Sequence, residues 1–110
     1  MRHREVIHEH LRQSAFELLA FVRERESAHH DRWVPAAEVK AELKLNLVAV
    51  PKSATQYGEK GWLFAILARM LEDMGMLEYR RSGSRSFCRS IAGLPHAGAS
   101  SSQSRQPVSG

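Results

Sequence analysis

Between Trp62 and Leu77 the chain passes from a helical hydrophobic period to a strand period across a single glycine. Few folds accommodate that order. On a helical wheel Leu63, Phe64, Ile66, Leu67, Met70, Leu71 and Met74 fall on one broad arc. Ala65, Ala68, Arg69, Glu72 and Asp73 fall opposite, with Trp62 at the border, so the spacing predicts a helix with one buried face. Gly75 stands just past the last apolar position, where a left-handed cap ends a helix at little cost. Leu77 and Tyr79 then alternate with Glu78 and Arg80, and Phe87, Arg89 and Ile91 alternate with Cys88 and Ser90. Ser82-Gly83-Ser84 between these runs is hairpin turn chemistry.

The hairpin carries the excess positive charge. Met1 to Glu78 holds 11 basic and 12 acidic residues, whereas Tyr79 to Ile91 holds four arginines (Arg80, Arg81, Arg85, Arg89) and no acid. Arginines flanking a glycine turn make a compact cationic tip suited to phosphate oxygens.

Helix, glycine stop, strand, basic turn and strand together resemble the second half of a winged helix-turn-helix DNA-binding domain. The run LARMLEDMGMLEYRRSGSRSFCRSI carries the likeness, and Leu71-Glu72-Asp73-Met74-Gly75-Met76-Leu77 is similar to the stop that ends a recognition helix in that superfamily. The resemblance spans roughly Leu11 to Ile91. It implies an α+β, mainly α fold: three helices plus a small antiparallel sheet with a β-hairpin wing.

The remainder of the chain is read as support for that unit. A length of 110 residues with 43% hydrophobic composition suits one small domain, expected over residues 1–91. Residues 92–110 are Ser-, Gly- and Ala-rich and are expected to form a disordered tail. Glu5 to Glu26 reads as a first helix burying Ile7, Leu11, Ala15, Leu18, Leu19, Phe21 and Val22, with Val6 and Phe16 off that face. Phe16 is a peripheral apolar residue or, on a sharper reading, a contact with a second subunit. After a polar break at Ser27–Arg32, Trp33-Val34 reads as a short strand or an anchor under the hairpin. The resemblance implies a strand there, paired with the wing. Pro35 suits the start of a second helix, Ala36 to about Leu43, with Val39 and Leu43 inward and Glu38, Lys40, Glu42 and Lys44 solvated.

Residues 45–57 lengthen the turn between the second and third helices well past the ~3–4 residues of an ordinary helix-turn-helix. The segment includes the apolar run Leu47–Val50, Pro51, and Ser53-x-x-Gln56 in capping-box form. A helix beginning near Ala54, or a broken or late start because of Gly58 and Gly61, both fit.

Duplex DNA is the partner this pattern implies. The candidate contacts are Thr55, Gln56, Tyr57 and Lys60 near the amino end of the third helix, and Ala65 and Arg69 on its outward face. Arg80, Arg81, Arg85 and Arg89 would hold backbone phosphates or enter the minor groove. Trp62 is read as core or rim packing, and Tyr79 as packing on Trp33 or the first helix. The expected role is a small cytoplasmic transcription regulator, working as a homodimer. The rival reading is a winged-helix interaction module that holds a protein partner without contacting DNA. It rests on Glu72, Asp73, the near-neutral body and the apolar Leu47–Val50 run; a continuous patch of Leu47, Val48, Val50 and Phe16 would favour it, and a basic strip from Lys52 through Lys60 to the hairpin would favour DNA.

Other chemistries have little to stand on. His3 and His10, seven apart on one helix face, and His29-His30-Asp31 lack the tight convergent spacing of metal ligands. Neither metal nor cofactor is expected. There is no nucleotide-binding glycine loop, no His-Glu-x-x-His and no Gly-x-Ser-x-Gly, so no enzyme activity is expected. Cys88 is the one cysteine, which excludes an internal disulfide; it is expected to point inward. No run is long enough for a membrane span, and the start lacks the apolar core of a signal peptide.

Overall fold

The computed structural model describes residues 2–48 and 55–91. The chain is mainly helical with one small sheet. α1 (Arg2–Arg25) is followed by two 3-10 turns, Glu26–Ala28 and His30–Arg32. β1 (Val34–Pro35), α2 (Ala36–Glu42), α3 (Trp62–Asp73), β2 (Leu77–Ser82) and β3 (Arg85–Ser90) complete it. The sheet is antiparallel with order β1-β3-β2. Val34 faces Cys88 on one side of β3, and Tyr79 faces Cys88 on the other. The capping-box residue Ser53, Val50 of the apolar loop, Lys52 and the whole expected tail lie outside the described residues.

The core is the space between α1, α2, α3 and one face of the sheet. Ala15, Leu18, Leu19 and Val22 fill it from α1, Ala36 and Val39 from α2, and Phe64, Leu67, Ala68 and Leu71 from α3. Val34, Leu77 and Cys88 close it from the sheet. Strand alternation therefore turns Leu77, Tyr79 and Arg81 to the helix side, and Glu78, Arg80 and Ser82 to the other.

Two expectations about helix faces are corrected. Ile7 is 60% exposed because the core reaches only from Ala15 to Val22, while α1 runs on for more than two turns toward its amino end. On α3, Ala68 is buried and Ile66 is 45% exposed, the reverse of the wheel reading. The apolar arc is wider than the face that can be covered, and the contact with α1 and β2 selects Phe64, Leu67, Ala68 and Leu71. The small Ala68 side chain allows that close approach. Phe16 is partly buried against the core, which removes it from an exposed patch.

The ends of α3 are set by backbone geometry. It starts late, at Trp62, after Gly61 in the left-handed region. Two hydrogen bonds bring the long connection back to α3: Tyr57 N–H to the Val48 carbonyl at 2.8 Å, and Gly61 N–H to that of Asn46 at 2.9 Å. At Gly58, a Cβ would stand 2.6 Å from the Trp62 ring, so the indole lies directly on the glycine backbone. α3 ends as expected at Gly75, whose φ is 76°, and Met76 N–H reaches back to the Leu71 carbonyl at 2.9 Å. Leu77–Ser82 and Arg85–Ser90 form the predicted hairpin, turning at Gly83-Ser84.

Between α1 and β1 the polar break is held by a knot of hydrogen bonds. The Glu26 carboxylate is buried, accepts Arg32 Nη1 at 3.2 Å and takes the backbone N–H of Ser90. Arg32 Nη1 also donates to the Ser90 carbonyl at 3.1 Å. Asp31 and Arg32 both hold positive φ, at 55° and 66°, a conformation non-glycine residues rarely adopt without outside support. Glu38, expected to be solvated, instead binds Arg25 Nε at 2.6 Å and stands 2.8 Å from His29 Nε2.

Candidate nucleic-acid interface

The four hairpin arginines do not form one cluster. Strand alternation deals Arg81 to the helix side of the sheet and Arg80, Arg85 and Arg89 to the opposite side. Trp33 and Phe87 lie on that opposite side. The Arg80 guanidinium carbon is 4.4 Å from the Trp33 ring centre and 5.7 Å from that of Phe87. Arg89 stands 4.2 Å from the Trp33 centre, and Arg85 stands 5.8 Å from the Phe87 centre. The result is an Arg-aromatic ladder in which rings orient three cations. Each such contact is worth about 0.5–1 kcal/mol at an exposed site.

The arginines differ in what else they hold. Arg89 donates from Nε to Glu78 at 2.6 Å and from Nη1 to the Asp31 carbonyl at 2.8 Å, and its side chain is only 25% exposed. It braces the hairpin against the turn before β1. Arg81 is exposed and makes no ion pair among the described residues. Arg80 and Arg85 are exposed apart from their ring contacts. Arg80, Arg81 and Arg85 are therefore the cations available to a polyanion.

On α3, Ala65 and Arg69 are exposed, as the wheel reading places them. With Phe64, Ala68, Glu72 and Tyr79 they border a shallow cleft of about 190 Å³ between α3 and β2. Arg69 is held by Asp73, Nε to Oδ1 at 3.2 Å, in a well-exposed pair that competes weakly with an incoming anion. Tyr79 packs toward α3, its ring 6.4 Å from that of Phe64, whereas Trp33 lies on the opposite face of the sheet. Thr55, Gln56, Tyr57 and Lys60 are all exposed but precede the helix. Gln56 spends its amide on the Gly58 carbonyl at 2.9 Å.

Lys40 belongs to this surface, and sequence reasoning missed it. Its ammonium stands 5.7 Å from the centre of the Phe64 ring. The residue also lines a recess with Pro35, Ala36, Ala37, Ser84, Arg85 and Ser86, so it bridges the hairpin turn and the start of α3. No local signal marks it, because Glu38 and Glu42 beside it make the segment read as an ordinary solvated face.

Burial pushes the Cys88 thiol up to about 12, with the negative charge of Glu26 adding to the shift. That leaves no thiolate for nucleophilic work at neutral pH. Among the described residues no group of three or more His, Cys, Asp or Glu is placed to hold a metal, and no helix is long and apolar enough to cross a membrane. The chain matches no protein-family model, no curated protein and no solved structure.

Proposed function

We propose that this chain binds duplex DNA through the hairpin and the adjoining face of α3, and acts as a small transcription regulator of winged-helix type. The observation that carries this reading is the hairpin's free cations, Arg80, Arg81 and Arg85, with Lys40 beside the turn, in a chain whose other charges nearly cancel. Rings that preorient guanidiniums lower the ordering cost of gripping phosphate. The element order and the pairing of β1 with the hairpin's second strand suit a winged helix and support the reading. Arg69 with the small Ala65 supplies the base-directed contact, and the hairpin supplies the backbone contacts.

Fluorescence anisotropy with a labelled random-sequence duplex, at low and moderate salt, tests this. Each phosphate contact adds about −0.9 to the slope of log K against log salt, so binding should collapse as salt rises. Absence of binding at low salt overturns the reading.

One observation favours the rival, a protein-binding role. Ile66 on α3 and Met74 just past its end are exposed, at 45% and 38%. A partner protein would cover that apolar line, whereas a DNA groove gains little from it. Ile66→Ala, which adds no charge beside Arg69, should weaken capture of such a partner and leave the salt-dependent binding of a random duplex nearly intact.

A further inference from the structure

α1 has a feature the DNA reading does not use. Its first turns, Arg2 to His10, are exposed throughout, and they carry Val6 and Ile7 at 44% and 60% exposure. Short helical stretches without tertiary packing are marginal in water, and the local pairs of Glu9 with Arg12 and Gln13 add only a few tenths of a kcal/mol each. Further along, α1 forms one wall of an apolar groove of about 370 Å³. Leu18, Phe21, Leu43, Leu45, Leu63 and Leu67 make its floor and far wall, and Glu17 and Glu24 stand on its rim.

The exposed turns and the groove wall share one helix face. At 100° per residue, Val6, Ile7, His10, Ser14, Glu17, Phe21 and Glu24 occupy a single arc. Within it, His3, His10, Glu17 and Glu24 recur every seven residues, drifting only about 20° per step. Histidines occupy the amino half of this row and glutamates the carboxyl half.

We infer that two copies of this chain associate through antiparallel α1 helices. Their two-fold axis passes between Gln13 and Ser14, and Val6 and Ile7 of each copy enter the groove of the other. In that register His3 faces Glu24, His10 faces Glu17, Val6 faces Phe21, and Ile7 faces the small Ala20. Each imidazole can donate to the carboxylate opposite, and every contact occurs twice, as a closed two-fold interface requires. A parallel pairing would instead set Glu17 against Glu17 and Glu24 against Glu24. The inference stands apart from the DNA reading. On α3, the groove residues Leu63 and Leu67 lie on the side opposite Ala65 and Arg69, so both copies keep that face open.

Analytical ultracentrifugation of the full chain across the micromolar range should give a concentration-dependent dimer. The double variant Val6→Asp with Ile7→Asp should be monomeric, losing only the helical circular dichroism of α1's first turns and keeping a cooperative thermal melt, since neither side chain is in the core. Register is read by crosslinking. With His10→Cys and Glu17→Cys in one chain, mild oxidation should join two copies. The two sulfurs of one helix cannot meet, because their Cα atoms are about 10 Å apart along the axis, beyond disulfide reach. His10→Cys alone should crosslink only if the helices are parallel. A wild-type chain that stays monomeric, a Val6/Ile7 variant that still dimerises, or crosslinking by His10→Cys alone would each overturn the proposal. A monomer would hand the groove to a helix of another protein.

Discussion

The Glu26 carboxylate accepts the backbone N–H of Ser90, 64 residues further along the chain. This contact ties the end of α1 to the last residue of β3, while Arg32 bonds both ends of it. Removing the Glu26 carboxylate leaves the buried Ser90 N–H without its acceptor, while the partly exposed Arg32 turns to water; an orphaned buried group typically costs about 1–3 kcal/mol. Glu26→Ala should therefore cost stability of that order in urea unfolding. Exposed Glu9→Ala, by comparison, should change it by less than about 0.5 kcal/mol.

Glu38 should shape the acid limb of stability. Partial burial works to raise its carboxyl, but the hydrogen bond from Arg25 and the charges of His29 and Arg25 outweigh that and hold it below its ordinary value of 4.5. A group depressed in the folded state contributes stability above its unfolded value and loses it as pH falls toward the folded value. Urea midpoints measured from neutral pH down through the carboxylate range should fall less steeply below pH 4.5 in Glu38→Gln than in wild type.

The arginines of the hairpin should separate into two classes. Reversing Arg81 and Arg85 together should weaken binding to every duplex and flatten the salt slope by roughly two phosphate contacts. The melting temperature should barely move. Arg89→Ala should instead lower the melting temperature, since it removes the brace to Glu78 and Asp31 along with a ring contact. Parallel thermal melts and anisotropy titrations distinguish the two. A wing-type double variant that binds like wild type at low salt removes the hairpin from the interface.

Lys40→Glu tests the bridging cation. It should weaken duplex binding about tenfold, a loss of about 1.4 kcal/mol, through one lost phosphate attraction and one added repulsion. Helical circular dichroism should be unchanged.

Cys88 should resist iodoacetamide at neutral pH in the folded protein and react in denaturant, because only the thiolate attacks and burial suppresses it. Rapid native alkylation would place the thiol elsewhere.

Much of the architecture was legible in local pattern. The apolar spacing of Leu67, Met70 and Leu71 announces α3, Gly75 announces its end, and the alternation around Gly83 announces the hairpin. Each signal arises within a few residues, where backbone geometry alone sets the period. The concentration of positive charge after Glu78 was equally plain.

What a local pattern leaves open is which neighbours a face will meet. Ala68 rather than Ile66 turned inward because α1 and β2 could approach the smaller side chain closely. Phe16 looked peripheral by period and is so, partly buried against the edge of the core. Glu38 and Lys40 looked like solvated charges and Glu26 like no more than the end of a helix, and their partners, Arg25, Phe64 and Ser90, come from other parts of the sequence.

The sequence by itself therefore determined the periods, the stops and the place where charge accumulates, because these depend on the covalent repeat and on neighbouring side chains. Only the tertiary structure decided how α3 is rotated, which arginines brace the hairpin and which stay free, and where Lys40 stands. Those outcomes depend on contacts between segments that share no local pattern, selected by packing and by the cost of leaving a buried polar group unpaired.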